Sequence, residues 1–164
     1  MTERLHWATT DEVIAIHSVD IERSRKSKPK GLWYEVDGDW ECWCTSEEFR
    51  IDEFKFVHRV DLGVAKILRL TTPEMIDEFT FEFGIHPDWS GDARFFYEID
   101  WPNVAEDFDG IEIAPYQWER RLELSTSWYY GWDCASGCIW SPAPDTSVTL
   151  IGERFMRQRA SEDA

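Results

Sequence analysis

The segment Lys28-Pro29-Lys30-Gly31-Leu32-Trp33-Tyr34-Glu35 gathers residue types that do chemistry together. Lys28 and Lys30 offer point charges to a phosphate. Gly31 lets the backbone approach a ligand closely. Trp33 and Tyr34 offer flat faces on which a ring stacks or against which it is walled. Upstream, Ile14-Ala15-Ile16 leads into His17 and Ser18, an imidazole and a hydroxyl at the end of an apolar run, where a rigid element projects site residues. Ten tryptophans in 164 residues exceed what a small core needs, so some line a groove or an interface. Most read as core filler, and Trp33 and Trp140 stand apart because of their neighbours.

Other chemistries fit less well. Cys42, Cys44, Cys134 and Cys138 form Cys-x-Cys and Cys-x-x-x-Cys pairs, which supply sulfurs to zinc in principle but depart from the usual knuckle spacing. The plain alternative is small buried thiols. Ser136 or Cys138 with His17 or His86 makes a nucleophile–base pair on paper, without a Gly-x-Ser-x-Gly elbow. The chain has no Walker loop, no Gly-x-Gly-x-x-Gly and no His-Glu-x-x-His. The net charge of −16 repels nucleic acid and anionic membranes at long range. Against that background, residues 23–30 carry five of the 17 basic residues and no acid, a local patch suited to a phosphate-bearing ligand or simply a solvated loop.

The elements that must position these residues follow from local pattern. Residues 11–21 read as a first strand or strand-to-helix passage, and 23–30 as a loop. Asp37-Gly38 between aromatic runs 32–36 and 40–44 predicts a β-hairpin. Thr45 or Ser46 ahead of Glu47 and Glu48 predicts a helix start. Segments around 54–62 and 65–72 read as strands. Thr72-Pro73-Glu74 and Asp100 with Pro102 open two helices. Residues 109–113, 136–140 and 147–155 read as strands around a turn at 141–145. The expectation is an α+β fold with a mixed or antiparallel sheet and about three helices. It forms one domain over 1–155, with a frayed tail at 156–164. No apolar run is long enough to span a bilayer, no secretory leader opens the chain, and the cysteines then read as reduced thiols in a cytoplasm.

From about His17 to Leu150 the chain resembles the ADP-ribosyltransferase superfamily, including small phage and toxin members. The resemblance rests on His17 after the first apolar run, on Lys-Pro-Lys-Gly-Leu-Trp-Tyr-Glu, on Asp109-Gly-Ile-Glu-Ile113 and on the closing Ser136-Gly-Cys-Ile-Trp-Ser-Pro segment. It implies that NAD is the substrate, held by His17, Ser18, Lys28, Lys30, Gly31, Trp33 and Tyr34. A late carboxylate, Glu112 or Asp133, then stabilises the charge that develops on the ribose. The family's Glu-x-Glu is absent from the chain, which leaves the acid open between these two. The implied partner is a macromolecular acceptor, protein or nucleic acid, with no membrane. Two other classes of function fit the composition. One is an acidic decoy that mimics DNA and blocks a basic protein. The other is an aromatic groove that binds a sugar or nucleobase without turnover.

Overall fold

The computed structural model describes residues 2–12, 16–19, 21, 25–50, 52–87, 91 and 95–153. The expected tail at 156–164, Trp89, and parts of the expected first strand and of the basic run lie outside the described residues.

The fold is α+β. Among the described residues the ten strands are β1 Arg4–Ala8, β2 Arg25–Lys26, β3 Leu32–Val36, β4 Phe56–Asp61, β5 Ile67–Leu70, β6 Gly84–Ile85, β7 Glu98–Asp100, β8 Gly110–Ile113, β9 Ser136–Ile139 and β10 Ser147–Glu153. Among the same residues the α-helices are α1 Asp39–Ser46, α2 Pro73–Phe83 and α3 Trp101–Asp107, and two 3-10 segments, Trp118–Arg120 and Leu124–Gly131, follow β8. Seven strands form one mixed sheet in the order β10-β4-β1-β3-β9-β8-β5, and β2-β7-β6 form a second, smaller one. All pairs in the large sheet are antiparallel except β5 with β8. A parallel pair needs a long crossover, and α2 and α3 lie within the one that joins β5 to β8. No helix among the described residues is long and apolar enough to cross a membrane.

The core is built from indoles. Trp101, Trp128, Trp132 and Trp140 are fully buried and touch one another edge to face or tilted at 6.1–6.3 Å, with Phe79 of α2 against Trp101 and Trp128. Each buried indole removes roughly 200 Å² from water, worth about 5 kcal/mol before entropy is charged. Trp128 Nε1 donates to Thr80 Oγ1 at 2.7 Å and Trp140 Nε1 to the Phe108 carbonyl at 2.8 Å, whereas Trp132 Nε1 is buried without a hydrogen-bond partner. Trp140, expected at a groove, is therefore a core residue.

Local signals held where they are one-sided. Thr72 caps α2 by accepting from Met75 N–H at 3.3 Å, with Pro73 at the first helical position, and Pro102 sits in the first turn of α3. Two expectations are overturned. Asp37 and Gly38 do adopt left-handed backbone, at φ 55° and 83°, but they turn β3 into α1 and not into a second strand. The reason lies in the spacing: Trp40, Trp43 and Cys44 recur at helical intervals, and Asp39 and Glu41 sit in the positive first turn. Thr45 and Ser46 consequently end that helix, each hydroxyl donating to a carbonyl of the preceding turn. The first strand in chain order is Arg4–Ala8, where Leu5 and Trp7 alternate inward; of the run 11–21, residues 11, 12, 16–19 and 21 belong to no strand, and 13–15 and 20 lie outside the described residues.

Gly31 has a structural use. A Cβ there would lie 2.3 Å from the Ile139 carbonyl oxygen, and its φ of 155° already disfavours a side chain. The close approach is thus between β3 and β9, and a backbone oxygen has little room to yield. Gly31→Ala is expected to lower stability by about 2 kcal/mol or more, read as a fall in the urea midpoint at unchanged slope.

Candidate functional site

Along β3, alternation sends Trp33 and Glu35 to one face of the sheet and Tyr34 and Val36 to the other. Register carries this across neighbours. Leu5 pairs with Glu35 on β1, and Cys138 and Ser136 pair with Trp33 and Glu35 on β9. On the Trp33 face these strands floor a cleft of about 290 Å³. Trp40 from α1 and Phe54 from the loop before β4 form one wall. Lys28, in the turn before β3, and Asp133 with Cys134, just ahead of β9, form the other. The walls are aromatic and mutually braced. Trp40 lies 6.0 Å from Trp7 and 5.0 Å from Phe54, and Trp33 meets buried Trp132 edge to face at 4.8 Å.

The charges in this cleft are partly desolvated. Lys28 Nζ sits 5.2 Å from the centre of the Trp33 ring, a cation–π geometry. Burial pushes its ammonium below the ordinary lysine value, and Asp133 works in the opposite direction. Glu35 is buried. Its two oxygens accept from Trp7 Nε1 and from the Glu41 backbone N–H, each at 2.9 Å. Burial still raises its pKa, against those two donors. Asp133 is half-buried and lies 3.6 Å from Arg121. Burial also pushes the Cys134 and Cys138 thiols well up, so both are protonated and poor nucleophiles. Cys44 is buried and Cys42 exposed, and no group of three or more potential metal ligands occurs among the described residues.

The residues expected to form a site divide by location. Lys28, Trp33 and Asp133 come together in the cleft. Tyr34 borders it, but its hydroxyl donates to Glu112 Oε2 at 3.2 Å. Lys30 is exposed and does not line the cleft, and Gly31 packs on β9. His17 and Ser18 are exposed and lie beyond the other end of β9, since Val19 next to them donates to the Trp140 carbonyl. Four strand residues, about 13 Å, separate that end from Cys134. The imidazole that does border the cleft is His6, on the true first strand. Its Nδ1 is 2.6 Å from the Trp33 carbonyl oxygen, which assigns the proton to Nδ1.

Glu112 is on the opposite face. Arg4 Nε and Nη2 clamp it at 2.5 and 3.0 Å, and Arg69 approaches at 3.4 Å. The alternation in Gly-Ile-Glu-Ile is real, but the strand is buried on both faces. Two further polar tripeptides in the sequence are Gln117-Trp118-Glu119 and Ser125-Thr126-Ser127. Both fall in 3-10 turns and not on strands. The Gln117 amide donates to the Thr71 and Pro115 carbonyls, Thr126 to Arg120 O and Ser127 to Phe96 O, and none of the six lines the cleft. Glu35 and His6 were missed. The signal for Glu35 was its i+2 spacing from Trp33, and for His6 the alternation of Leu5 and Trp7 around it. Comparison with family models, curated proteins and solved structures returns no match to the chain.

Two tests follow from the geometry. Because the native pKa of Glu35 is raised, its contribution to stability is present in full below the unfolded value and is lost as pH rises through the native one. The Trp7 indole N–H resonance is expected to titrate with a midpoint above 4.5, and Glu35→Gln to abolish that step. Glu112→Ala leaves Arg4 without its partner and is expected to cost about 3 kcal/mol in chemical denaturation, with the cleft residues unshifted in NMR spectra.

Proposed function

We propose that the chain is an NAD-dependent ADP-ribosyltransferase acting on a macromolecular acceptor. The observation that carries this reading is the convergence of Trp33, Lys28 and Asp133 on one aromatic cleft. Of the segments on which the resemblance rests, Lys28–Glu35 and the one leading into β9 meet there, while His17 and Glu112 lie elsewhere. The nicotinamide of oxidised NAD is a cationic ring. Indole faces attract such a ring more strongly than a neutral one, and acids nearby favour it further. The Lys28 ammonium supplies the charge for the pyrophosphate.

The chemistry assigned to the cleft is substitution at the ribose carbon. The carbon–nitrogen bond breaks with its electron pair going to nicotinamide, which leaves neutral. Positive charge builds on the ribose, where the Asp133 carboxylate stabilises it more in the transition state than in the ground state. An oxygen or nitrogen of the acceptor forms the new bond and gives up its proton to water or to Asp133. Asp133 suits this role better than Glu35, whose two oxygens already accept hydrogen bonds, and better than Glu112, which faces away.

With labelled NAD and a cell lysate, the full chain is expected to transfer label and release nicotinamide. Asp133→Asn is expected to lower both by about a hundredfold or more while nicotinamide still quenches Trp33 fluorescence. Folded protein that does neither rejects the transferase reading. Quenching by nicotinamide or a free base without turnover, indifferent to Asp133→Asn, would instead identify an aromatic binding module.

A further inference from the structure

Phe81 is on the side of α2 that faces away from the core. The helix buries Ile76, Phe79, Thr80 and Phe83, and Phe81 projects outward, 89% exposed. The 3-10 segments Trp118–Arg120 and Leu124–Gly131 pack against α2, and Trp118 and, in the turn between them, Leu122 are 65% and 80% exposed. Arg120 ties these turns to α2 through a two-pronged pair with Asp77 at 2.7 and 2.8 Å. Phe81, Phe96, Arg120 and Glu123 line one recess there, of about 530 Å³. Exposed side chains of this size add nothing to folding, and their concentration on α2 and the turns packed against it marks a contact surface.

Charge identifies what the surface accepts. Asp77, Glu78, Glu82 and Glu123 line recesses with Phe81, Glu74 and Glu119 stand on the same two elements, and all six are exposed. The bases within the same two stretches, 73–83 and 118–131, are Arg120 and Arg121. Both are already in ion pairs, Arg120 with Asp77 and Glu119, and Arg121 with Asp133. A second copy of this chain would bring another acid rim against the first, on a body of charge −16. Nucleic acid and anionic lipid are repelled in the same way.

We infer that this face docks a basic polypeptide segment. The segment sets aliphatic or aromatic side chains on Phe81, Leu122 and Trp118 and its lysines or arginines on the acid rim. The apolar centre supplies residence and the rim supplies attraction and orientation. The inference does not depend on catalysis in the cleft.

The test is fluorescence anisotropy with a labelled synthetic peptide of alternating leucine and arginine, without NAD. Binding to the full chain is expected, weakening as salt rises. The double variant Phe81→Ser/Leu122→Ser is expected to weaken it about tenfold or more. Glu78→Lys/Glu82→Lys should weaken it as well, and Val64→Ser, an exposed apolar residue in the β4–β5 turn, should leave it unchanged. No binding, equal binding by the double variant, or equal binding of a peptide with serine in place of leucine overturns the inference. So does concentration-dependent dimerisation in sedimentation that Phe81→Ser abolishes, because a second copy would then be the occupant.

Discussion

One carboxylate reaches across half of the large sheet. Glu112 on β8, Gly137 on β9 and Tyr34 on β3 are register partners in a single row, and Arg4 on β1 closes that row from the far side. Arg4 reaches Glu112 over two intervening strands because Gly137 has no side chain: a Cβ there would lie 2.4 Å from the Tyr34 ring. The tyrosine occupies the gap and donates to the same carboxylate. Burial, and next to it the charge of Glu112, hold the Tyr34 hydroxyl protonated well above its usual range, and Glu112 raises the Arg4 pKa. A buried pair of this kind rarely adds net stability, but it penalises every register that breaks it. A slip of one residue would place Trp33 and Glu35 on this face. The row therefore fixes which face of β3 receives the aromatic residue and which receives the ion pair.

That assignment explains why the cleft forms where it does. With one face of β1-β3-β9-β8 committed to Arg4, Tyr34 and Glu112, the other is left for Trp7, Trp33 and Glu35. Trp33 is the outermost member of the indole cluster, touching Trp132 at 4.8 Å. A cleft wall is thus continuous with the core, and a rigid wall needs no ordering when a ring stacks on it. Glu35 is buried yet keeps its two donors, one from β1 and one from α1. Asp39 at the start of α1 accepts from Ala135 N–H at 2.5 Å, which ties that helix to the β9 end of the cleft. The residues nearest the opening are held from three directions.

Much of this fold is visible in the sequence because its signals are local. A threonine cap followed by proline has one meaning, and so does a β-branched alternation in a short run. The Asp37-Gly38 turn misled because a left-handed pair reverses a chain toward a helix as readily as toward a strand. The deciding information was the helical spacing of Trp40, Trp43 and Cys44. The first strand was masked by its neighbour: five residues at Arg4–Ala8 carry less apolar weight than the run at 13–16, though Leu5 and Trp7 alternate cleanly. Site residues divide along the same line. Trp33 and Lys28 were legible from their shared segment. The orientation of Glu112 was not, because it depends on Arg4, 108 residues away, and no local pattern encodes which face of a doubly buried strand meets a distant cation.

The two surfaces proposed for ligands share one residue. Arg121 lies 3.6 Å from Asp133 at the cleft and, at 5.7 and 5.8 Å, over the rings of Trp118 and Tyr130 on the exposed face. A partner that covers those rings desolvates the guanidinium and alters its hold on Asp133. Arg121 and Asp133 are both about 30% exposed, so their pair is worth roughly 1 kcal/mol or less. That bounds the coupling at about fivefold in either direction. Docking on the acid-rimmed face can therefore tune the carboxylate in the cleft but not switch it, and by reciprocity an occupant of the cleft changes the partner's affinity by the same small factor.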